Sequence, residues 1–344
     1  MRVLVVEDSR VVSAYVLTIL KQTPTFSVVG LTGDGQQAID MAERLAPDVI
    51  LMDLHLDTLD GIEAIRQIMA LRPTPIVVLS GVLERAEANL TFEAFRAGAV
   101  EVLAKPDGLG SREIAGFRDS LLRTLRVMSQ ARVIRRFGGA ERRMNLPYES
   151  TSPSRPTPEL VVIGASTGGP QVLMDILLAF PVPFPVPILI AQHIARGFGR
   201  GMVDWLCTTG HDVRAPEPGE RITAGRVYVG PDDGHMECAD RRSLHVSADP
   251  VASVAPSVDR LMQSAARTYG AAACGVLLTG MGRDGAEGLL SMRKTGAITV
   301  AQNEESCVVF GMPGTAIALG AAQYVCDAKA IPSKVCEWLG IHPR

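Results

Sequence analysis

The first part of the chain alternates short apolar runs with helical patterns. Continuously apolar runs are typical of parallel strands that are covered on both faces, because neither face meets water. The predicted strands are Val3–Val6, Ser27–Leu31, Val49–Met52, Ile76–Leu79 and Glu101–Leu103. Helical patterns lie between them, for example Gly35–Leu45 and Gly61–Leu71. Five such units predict a doubly wound parallel sheet over residues 1–125, and ligands of such sheets lie at the carboxyl ends of the strands.

The same alternation resumes in the second half of the chain and predicts another, larger α/β domain over residues 159–344, again doubly wound. The predicted strands are Leu160–Ile163, Ile188–Ala191, Arg226–Val229, Gly275–Leu278, Ile298–Ala301 and Gln323–Val325. The predicted helices are Pro170–Phe180, Ser257–Tyr269, Gly285–Lys294, Thr315–Ala318 and Ser333–Leu339. The fold class is therefore α/β, with two parallel-sheet domains in sequence.

Residues 126–158 differ in composition from both flanking regions. Prolines and small polar residues are concentrated between Thr151 and Pro158, which is typical of a semi-extended linker. Five arginines precede them, namely Arg132, Arg135, Arg136, Arg142 and Arg143. A charge run of this kind is more typical of a solvated face than of a surface that binds a partner.

The overall composition narrows the possible functions. With 344 residues, of which 47% are hydrophobic, the chain can bury two domain cores. The net charge of −3 argues against a nucleic-acid surface. No run approaches the ~20 apolar residues of a membrane span, and the N-terminus lacks the features of a signal peptide. Six cysteines without a C-x-x-C pair favour a reducing compartment, so we expect a cytoplasmic protein that does not insert into membranes.

Five polar residues follow the predicted strands of the first domain. Glu7 and Asp8 follow the first strand, and Asp53 follows the third. Clustered carboxylates need a cation between them, and oxygen ligands of this kind favour Mg²⁺. A carboxylate held there can attack a phosphoryl donor, while Ser80 and Lys105, after strands four and five, can bind the added phosphoryl oxygens. The alternative is a set of acids solvated at a loop rim.

Ser166 occupies a glycine-rich turn in the second domain. The segment from Gly164 to Gly169 links a predicted strand to a helix that begins near Pro170. Backbone N–H groups and the positive end of the helix dipole at such a turn can stabilise an oxyanion, so Ser166 is a candidate nucleophile. The alternatives are a helix-capping serine or an anion-binding turn. The turn lacks the Gly-Lys-Ser/Thr ending of a P-loop.

Two histidines are candidates for the base that such a serine needs. His193 directly follows the strand Ile188–Ala191, whereas His235 lies farther from the end of its preceding strand. Active sites of parallel sheets collect at strand ends, which favours His193. The remaining candidates, His211, His245 and His342, are interpreted as surface residues because they lie in polar or terminal contexts.

The candidate acid is Asp284, in the glycine-rich loop after the strand Gly275–Leu278. A carboxylate there could hold the histidine tautomer and stabilise its imidazolium form. Asp284 could also simply cap the helix that begins at Gly285. Asp232 and Asp233 are the alternatives, and both are more typical of residues that shape a turn.

Residues 1–125 resemble the receiver domains of two-component systems. The matching motifs are Val5-Val6-Glu7-Asp8-Ser9, Leu51-Met52-Asp53, Leu79-Ser80-Gly81 and Ala104-Lys105-Pro106. The resemblance implies that a histidine kinase phosphorylates Asp53 in the presence of Mg²⁺. Many receivers carry an aromatic switch residue three positions before the lysine, but this chain has Val102 there, so the resemblance does not extend to the usual aromatic rotamer switch.

The segment 159–340 resembles the catalytic domain of the chemotaxis methylesterases, the CheB family. The matching motifs are Gly164-Ala165-Ser166-Thr167-Gly168-Gly169, Gln192-His193, Tyr228-Val229-Gly230-Pro231 with His235, Thr279-Gly280-Met281-Gly282-Arg283-Asp284-Gly285-Ala286, and Val309-Phe310-Gly311-Met312-Pro313. The resemblance implies that Ser166 is the nucleophile, His193 the base and Asp284 its orienting acid. It also implies that the Met281 N–H contributes to the oxyanion hole and that this domain needs no cofactor.

The family resemblance implies a function for the whole chain. Methyl esters of glutamates on the cytoplasmic helices of chemoreceptors would be hydrolysed with release of methanol, and certain receptor glutamines would be deamidated. Phosphorylation of Asp53 would release a receiver that covers the catalytic cleft. Two alternatives remain open, namely a receiver-controlled esterase of another sensory pathway and a phosphorylation-dependent binding module with a vestigial triad.

Overall fold

A computed structural model of the protein describes residues 1–81, 85–106, 111–128, 131, 156–248 and 255–344. The predicted arginine run and most of the predicted linker lie outside these residues. The described residues contain two parallel sheets, one in each half of the chain, so the predicted α/β fold class is confirmed. Among the described helices, none has the length and apolar character that crossing a bilayer requires.

The first sheet has five parallel strands in the order β2-β1-β3-β4-β5. The strands are β1 Arg2–Val6, β2 Ser27–Thr32, β3 Val49–Asp53, β4 Ile76–Ser80 and β5 Glu101–Ala104. The helices are α1 Arg10–Lys21, α2 Gly35–Leu45, α3 Gly61–Leu71, α4 Arg85–Ala97 and α5 Ser111–Met128. Every residue of β3 and β4 is buried, which explains their continuously apolar sequences because helices cover both faces.

The second sheet has seven parallel strands in the order β14-β13-β12-β6-β7-β9-β8. The strands of this half are β6 Leu160–Ala165, β7 Ile188–Gln192, β8 Asp212–Arg214, β9 Arg226–Val229, β10 Gly234–Cys238, β11 Leu244–Ala248, β12 Ala273–Leu277, β13 Ile298–Gln302 and β14 Tyr324–Cys326. The helices are α6 Gly169–Ala179, α7 Gly199–Cys207, α8 Val258–Tyr269, α9 Ala286–Lys294, α10 Met312–Ala318 and α11 Ile331–Trp338. The predicted strands are confirmed to within two residues.

Three strands of the second half were not predicted. Strand β8 has only three residues at the sheet edge, and β10 and β11 form a separate antiparallel hairpin. Both hairpin strands mix polar with apolar residues, so neither presents the continuous apolar run of the parallel strands. Helix α7 was also not predicted. The hairpin matters for the site because α8 packs against β10.

Helix α8 lies unusually close to the central strand β6. A side chain at Gly164 of β6 would place its Cβ 2.1 Å from Cγ1 of Val258, the first residue of α8. Only glycine leaves room for this approach. The N-terminus of α8 is thereby held close to the carboxyl end of β6.

The two halves pack against each other through the α4–β5–α5 side of the first sheet. Helix α4 contacts α7, and the Phe92 ring stacks on Trp205 with centroids 5.3 Å apart. Near the end of α5, Leu125 and Met128 share a hydrophobic cluster with Val309 of the second half. The first domain therefore rests on the second through buried aromatic and aliphatic side chains.

Candidate functional site

Ser166 lies in the turn between β6 and α6, close to the carboxyl end of the central strand. Its N–H donates to Thr279 O at 3.0 Å, and its carbonyl accepts from Gly169 N–H at 2.7 Å. Gly168 has φ +75°, a conformation that glycine adopts without strain. The turn thus holds the serine at the N-terminus of α6, where the helix dipole favours negative charge.

His193 and Asp284 approach the same turn from the two strands that flank β6. His193 directly follows β7, and its N–H donates to Ala165 O at 3.0 Å. Asp284 lies in the loop between β12 and α9. The Nε2 atom of His193 lies 2.8 Å from Oδ2 of Asp284. The structure therefore brings together the three residues that the sequence analysis placed in the triad.

The Asp284 carboxylate is surrounded by hydrogen-bond donors. Oδ2 accepts from Val258 N–H at 2.7 Å, and Oδ1 accepts from Asp259 N–H at 2.9 Å and from Ser257 Oγ at 3.1 Å. Burial opposes ionisation, but the hydrogen bonds from His193 and from the N-terminus of α8 outweigh it and lower the pKa of Asp284 to about 2. The carboxylate is consequently ionised across the physiological pH range.

An ionised carboxylate fixes the tautomer of His193. Because Asp284 can then only accept, Nε2 of the neutral His193 ring carries the proton and Nδ1 is the acceptor. Among the hydrogen bonds of the described residues, none joins Ser166 Oγ to this ring. The Asp284 carboxylate therefore fixes the orientation of the His193 ring and leaves Nδ1 as the ring atom that can accept a proton.

The Met281 loop passes close to the serine. A Cβ at Gly280 would lie 2.6 Å from the Cβ of Ser166, so only glycine fits there. The carbonyl of Gly280 accepts from the N–H groups of Gly311 and Met312 at 3.1 and 3.0 Å. In the described part of the chain the Met281 N–H donates no hydrogen bond, which leaves it available to an oxyanion.

Gln192 was not predicted to have a role of its own, although it belongs to the Gln192-His193 motif. The side chain is buried, and its amide donates to Ser166 O at 2.9 Å and to His193 O at 2.7 Å. One amide therefore joins the backbone of the proposed nucleophile to that of the proposed base. Its position directly before His193 was the available signal.

The other histidines and acids occupy different surroundings. The interpretation of His211 as a surface residue is wrong, because it is 4% exposed and its Nε2 lies 2.9 Å from Leu177 O. His245 and His342 are exposed as expected. Asp232 accepts from two glycine N–H groups at 2.7 and 2.8 Å at the start of α7, which agrees with a turn-shaping role. His235 is buried within β10.

The predicted phosphoacceptor region is assembled at the carboxyl edge of the first sheet. Oxygen atoms of Glu7, Asp8 and Asp53 all lie within 4.8 Å of one another. Lys105 Nζ lies 2.7 Å from Asp53 Oδ2 and 3.0 Å from Glu7 Oε2. The structure therefore brings together four of the five predicted residues in one cluster, here called the acid cluster.

The electrostatics of the acid cluster suit a bound cation. Burial and the charge of Asp53 raise the pKa of Glu7 to about 7, against the opposing effect of Lys105. Burial disfavours the Lys105 ammonium, but both carboxylates outweigh it and raise its pKa. The single charge of Lys105 only partly compensates the negative charge of the three acids. A divalent cation that prefers oxygen ligands would supply the missing positive charge.

Ser80 follows the acid cluster along the sheet and contacts helix α4, and Val102 lies in the neighbouring strand β5. Thr91 Oγ1 of α4 donates to Ser80 Oγ at 3.1 Å. Val102 is 2% exposed in β5, and its aliphatic side chain stands where many receivers carry an aromatic residue. Thr91 directly precedes Phe92, which stacks on Trp205 of the second domain.

The first domain also contacts the Ser166 turn directly. Thr167 Oγ1 donates to Glu101 Oε2 at 2.6 Å, and Gly168 N–H donates to Val100 O at 3.1 Å. Burial raises the pKa of Glu101 despite the hydrogen bond from Thr167. The first domain therefore occupies donors beside the candidate nucleophile, a contact that the sequence did not reveal.

A cavity of about 340 Å³ lies beside this contact. It is lined by Val127 near the end of α5 and by the Met281 and Val308–Gly311 segments of the second domain. The cavity adjoins the candidate oxyanion donor, so part of the cleft stays open while the first domain is docked.

Comparison with known proteins follows the division of the chain into two halves. Residues 161–335 match the CheB methylesterase family, and residues 3–111 match the response regulator receiver domain. A protein-glutamate methylesterase/protein-glutamine glutaminase of Nitrosospira multiformis is 42% identical over 334 residues, which cover 96% of this chain and 94% of the relative. A relative of the same name from Syntrophus aciditrophicus is 42% identical and covers 98% of both chains.

Among solved structures, the second half resembles the crystal structure of the Thermotoga maritima CheB methylesterase catalytic domain. The sequence identity is 37% and the TM-score is 0.50. The match covers 52% of this chain and 98% of that domain.

Proposed function

The chain belongs to the CheB methylesterase family and carries a receiver domain before the esterase domain, and from this premise we propose that Ser166, His193 and Asp284 are its catalytic triad. Like the relatives, it is a protein-glutamate methylesterase and protein-glutamine glutaminase. The observation that carries the residue assignment is the 2.8 Å contact between His193 and Asp284 beside the Ser166 turn.

In the proposed mechanism, Ser166 Oγ attacks the side-chain carbonyl carbon of a glutamate methyl ester. His193 Nδ1 takes the serine proton, and the ionised Asp284 stabilises the imidazolium through Nε2. The tetrahedral intermediate collapses, and His193 returns the proton to the leaving methoxide, which departs as methanol. Water then attacks the acyl-enzyme with His193 again as base, and glutamate and the free serine are restored.

Two groups are proposed to stabilise the oxyanion in both steps. The Met281 N–H is not engaged by other described residues, and the N-terminus of α6 contributes its dipole beside Ser166. A glutamine substrate would follow the same route, with ammonia as the leaving group. The proposed substrates are the methylated cytoplasmic helices of chemoreceptors, and the proposed location is the cytoplasm.

The receiver domain is proposed to be phosphorylated on Asp53 by a histidine kinase. Glu7, Asp8 and Asp53 would hold Mg²⁺, which supplies positive charge for the incoming phosphoryl group. Lys105, already 2.7 Å from Asp53, would pair with the added negative charge. Ser80 would donate to a phosphoryl oxygen.

Phosphorylation is proposed to release the catalytic cleft from the receiver. If Ser80 turns towards the phosphoryl group, its contact with Thr91 changes. Thr91 adjoins Phe92, whose stack on Trp205 helps to dock the receiver. Weakening this contact would free Thr167 and Gly168 from Glu101 and Val100 and admit a receptor helix. The route needs no aromatic residue at Val102.

Methanol release from methylated chemoreceptor membranes tests the proposal, with wild type and Ser166→Ala, each with and without a small phosphodonor and Mg²⁺. We expect release that requires Ser166 and rises with the phosphodonor. No release from the folded wild type under any condition would point to another sensory substrate or to a binding module.

The inhibitory contact has its own test. Phe92→Ala removes the aromatic stack while leaving the triad intact, so it should raise the activity of the unphosphorylated enzyme towards that of the phosphorylated enzyme. Removal of residues 1–150 should do the same. If neither change raises the basal activity, the receiver does not inhibit.

A further inference from the structure

The direction of the Asp284 carboxylate is set by the first turn of α8. Ser257, the N-cap of this helix, and the next two N–H groups all donate to Asp284. Ser257 Oγ also accepts from Arg260 N–H at 3.3 Å, which closes the cap. Any tilt of this turn would therefore change the angle at which Asp284 meets His193.

The side chain of His235 contacts the backbone of the same N-cap residue, Ser257. The Nδ1 atom of His235 accepts a hydrogen bond from Ser257 N–H at 3.0 Å. Because Nδ1 accepts, the proton of the neutral ring is on Nε2. His235 is 2% exposed. It lies in β10, where its backbone pairs with Ser247 of β11. His235 is thus a rigid acceptor that holds the peptide plane at the start of α8.

We infer that His235 is a positioning residue for the triad, acting through Ser257 on Asp284 and hence on His193. This inference rests on the proposed catalytic role of the triad. The series of contacts is continuous. His235 lies 3.0 Å from Ser257, Ser257 lies 3.1 Å from Asp284, and Asp284 lies 2.8 Å from His193. The hairpin β10–β11 would then serve catalysis by carrying this one ring.

Two substitutions separate the acceptor position from the size of the side chain. Asparagine can place its amide oxygen where Nδ1 of His235 lies, whereas glutamine reaches the position of Nε2. We expect His235→Gln and His235→Leu to lower kcat by about 10- to 100-fold, since misplacements near 1 Å can have effects of this size. KM should change by less than about twofold because the ring touches no substrate. His235→Asn should retain most of kcat.

A double-mutant cycle tests whether His235 acts through Asp284. In an Asp284→Asn background, a residue that works only by orienting Asp284 should have little further effect. We therefore expect His235→Gln to reduce kcat much less in this background than in the wild type. Equal reductions in both backgrounds, or equal activities of His235→Asn and His235→Gln, would overturn the inference.

A spectroscopic readout decides the inference without relying on turnover. In full-length protein labelled with ¹⁵N-histidine, the His193 Nε2–H proton bonded to Asp284 should be protected from exchange. His235→Gln should weaken that protection and His235→Asn should restore it, while circular dichroism verifies that both variants are folded. An unchanged signal in folded His235→Gln contradicts the positioning role. If the wild type releases no methanol, the proposed function fails, but this signal still decides the contact.

Discussion

Asp53 and Asp284 both stand at the carboxyl edge of a parallel sheet, but their surroundings are opposite. Asp53 has two other acids within 4.8 Å and one lysine at 2.7 Å. Asp284 has three donors from the start of α8 and a histidine at 2.8 Å. The first site is short of positive charge, whereas the second is filled with donors.

The difference is visible in the pKa values of the two sites. Burial and a neighbouring acid raise the pKa of Glu7, beside Asp53, to about 7. Hydrogen bonds outweigh burial and lower the pKa of Asp284 to about 2. A site short of positive charge is suited to receive a cation and then a phosphoryl group, whereas a satisfied carboxylate is suited to hold an imidazolium. The same fold position thus provides two opposite electrostatic surroundings for a carboxylate.

The largest expected effect concerns the donor-filled site. Ser166→Ala should lower methanol release on the order of 10⁴-fold or more, because the members of a triad act as a unit. Ser291→Ala is a matched control, since the Ser291 hydroxyl donates only to Glu287 O within α9 among the described contacts. Comparable loss in both variants would remove Ser166 from the chemistry.

The second expected effect is on acid stability. Folding lowers the pKa of Asp284 from 3.8 to about 2. The ionised form therefore stabilises the fold fully above pH 3.8, and this stabilisation is lost as the pH falls towards 2. The contribution is about 2 to 3 kcal/mol, at about 1.4 kcal/mol for each pKa unit.

Asp284→Asn should therefore lower the free energy of unfolding at neutral pH, and the difference from wild type should narrow in acid. Urea denaturation at several pH values measures this. A difference that stays constant down to the lowest pH would contradict the stabilising role of the charge.

The third expected effect concerns the acid-rich site. Asp53→Asn should abolish stimulation by a phosphodonor and Mg²⁺, a loss on the order of 10-fold if the coupling is of typical size. The basal activity should not fall, because the described hydrogen bonds of Asp53 go to His55 and Lys105, both in the first domain. Asp57→Asn, at an exposed position in the following loop, should keep the stimulation. Equal responses of the two variants would exclude Asp53 as the phosphoacceptor.

The smallest expected effect lies where the two regions meet. Burial in the docked arrangement raises the pKa of Glu101, so docking favours the protonated form and weakens as pH rises through that pKa. Glu101→Gln keeps an acceptor for Thr167 but cannot ionise. The ratio of basal activity in wild type to that in the variant should therefore rise a few-fold from acidic to alkaline pH. A ratio independent of pH would show that Glu101 does not couple docking to protonation.

The elements of the molecule differ in how well they could be predicted from the sequence. Strands buried on both faces were predicted well because their apolar runs are continuous. The polar residues directly after these strands could therefore be named as candidate site residues. The hairpin β10–β11 was missed because its strands mix polar and apolar positions. His211 was misjudged because its polar neighbours concealed a buried ring. Ser257 was seen only as the start of a helix.

The sequence by itself determined the two parallel sheets, the resemblance to receivers and methylesterases, and the candidate residues at the strand ends. These follow from local patterns, since periodicity and turn residues are encoded within a few positions. Only the tertiary structure decided that α8 supplies three donors to Asp284, that His235 holds Ser257, and that Glu101 reaches Thr167 across the domain contact. Those contacts join residues 22 to 66 positions apart, and their geometry depends on packing that no local pattern encodes.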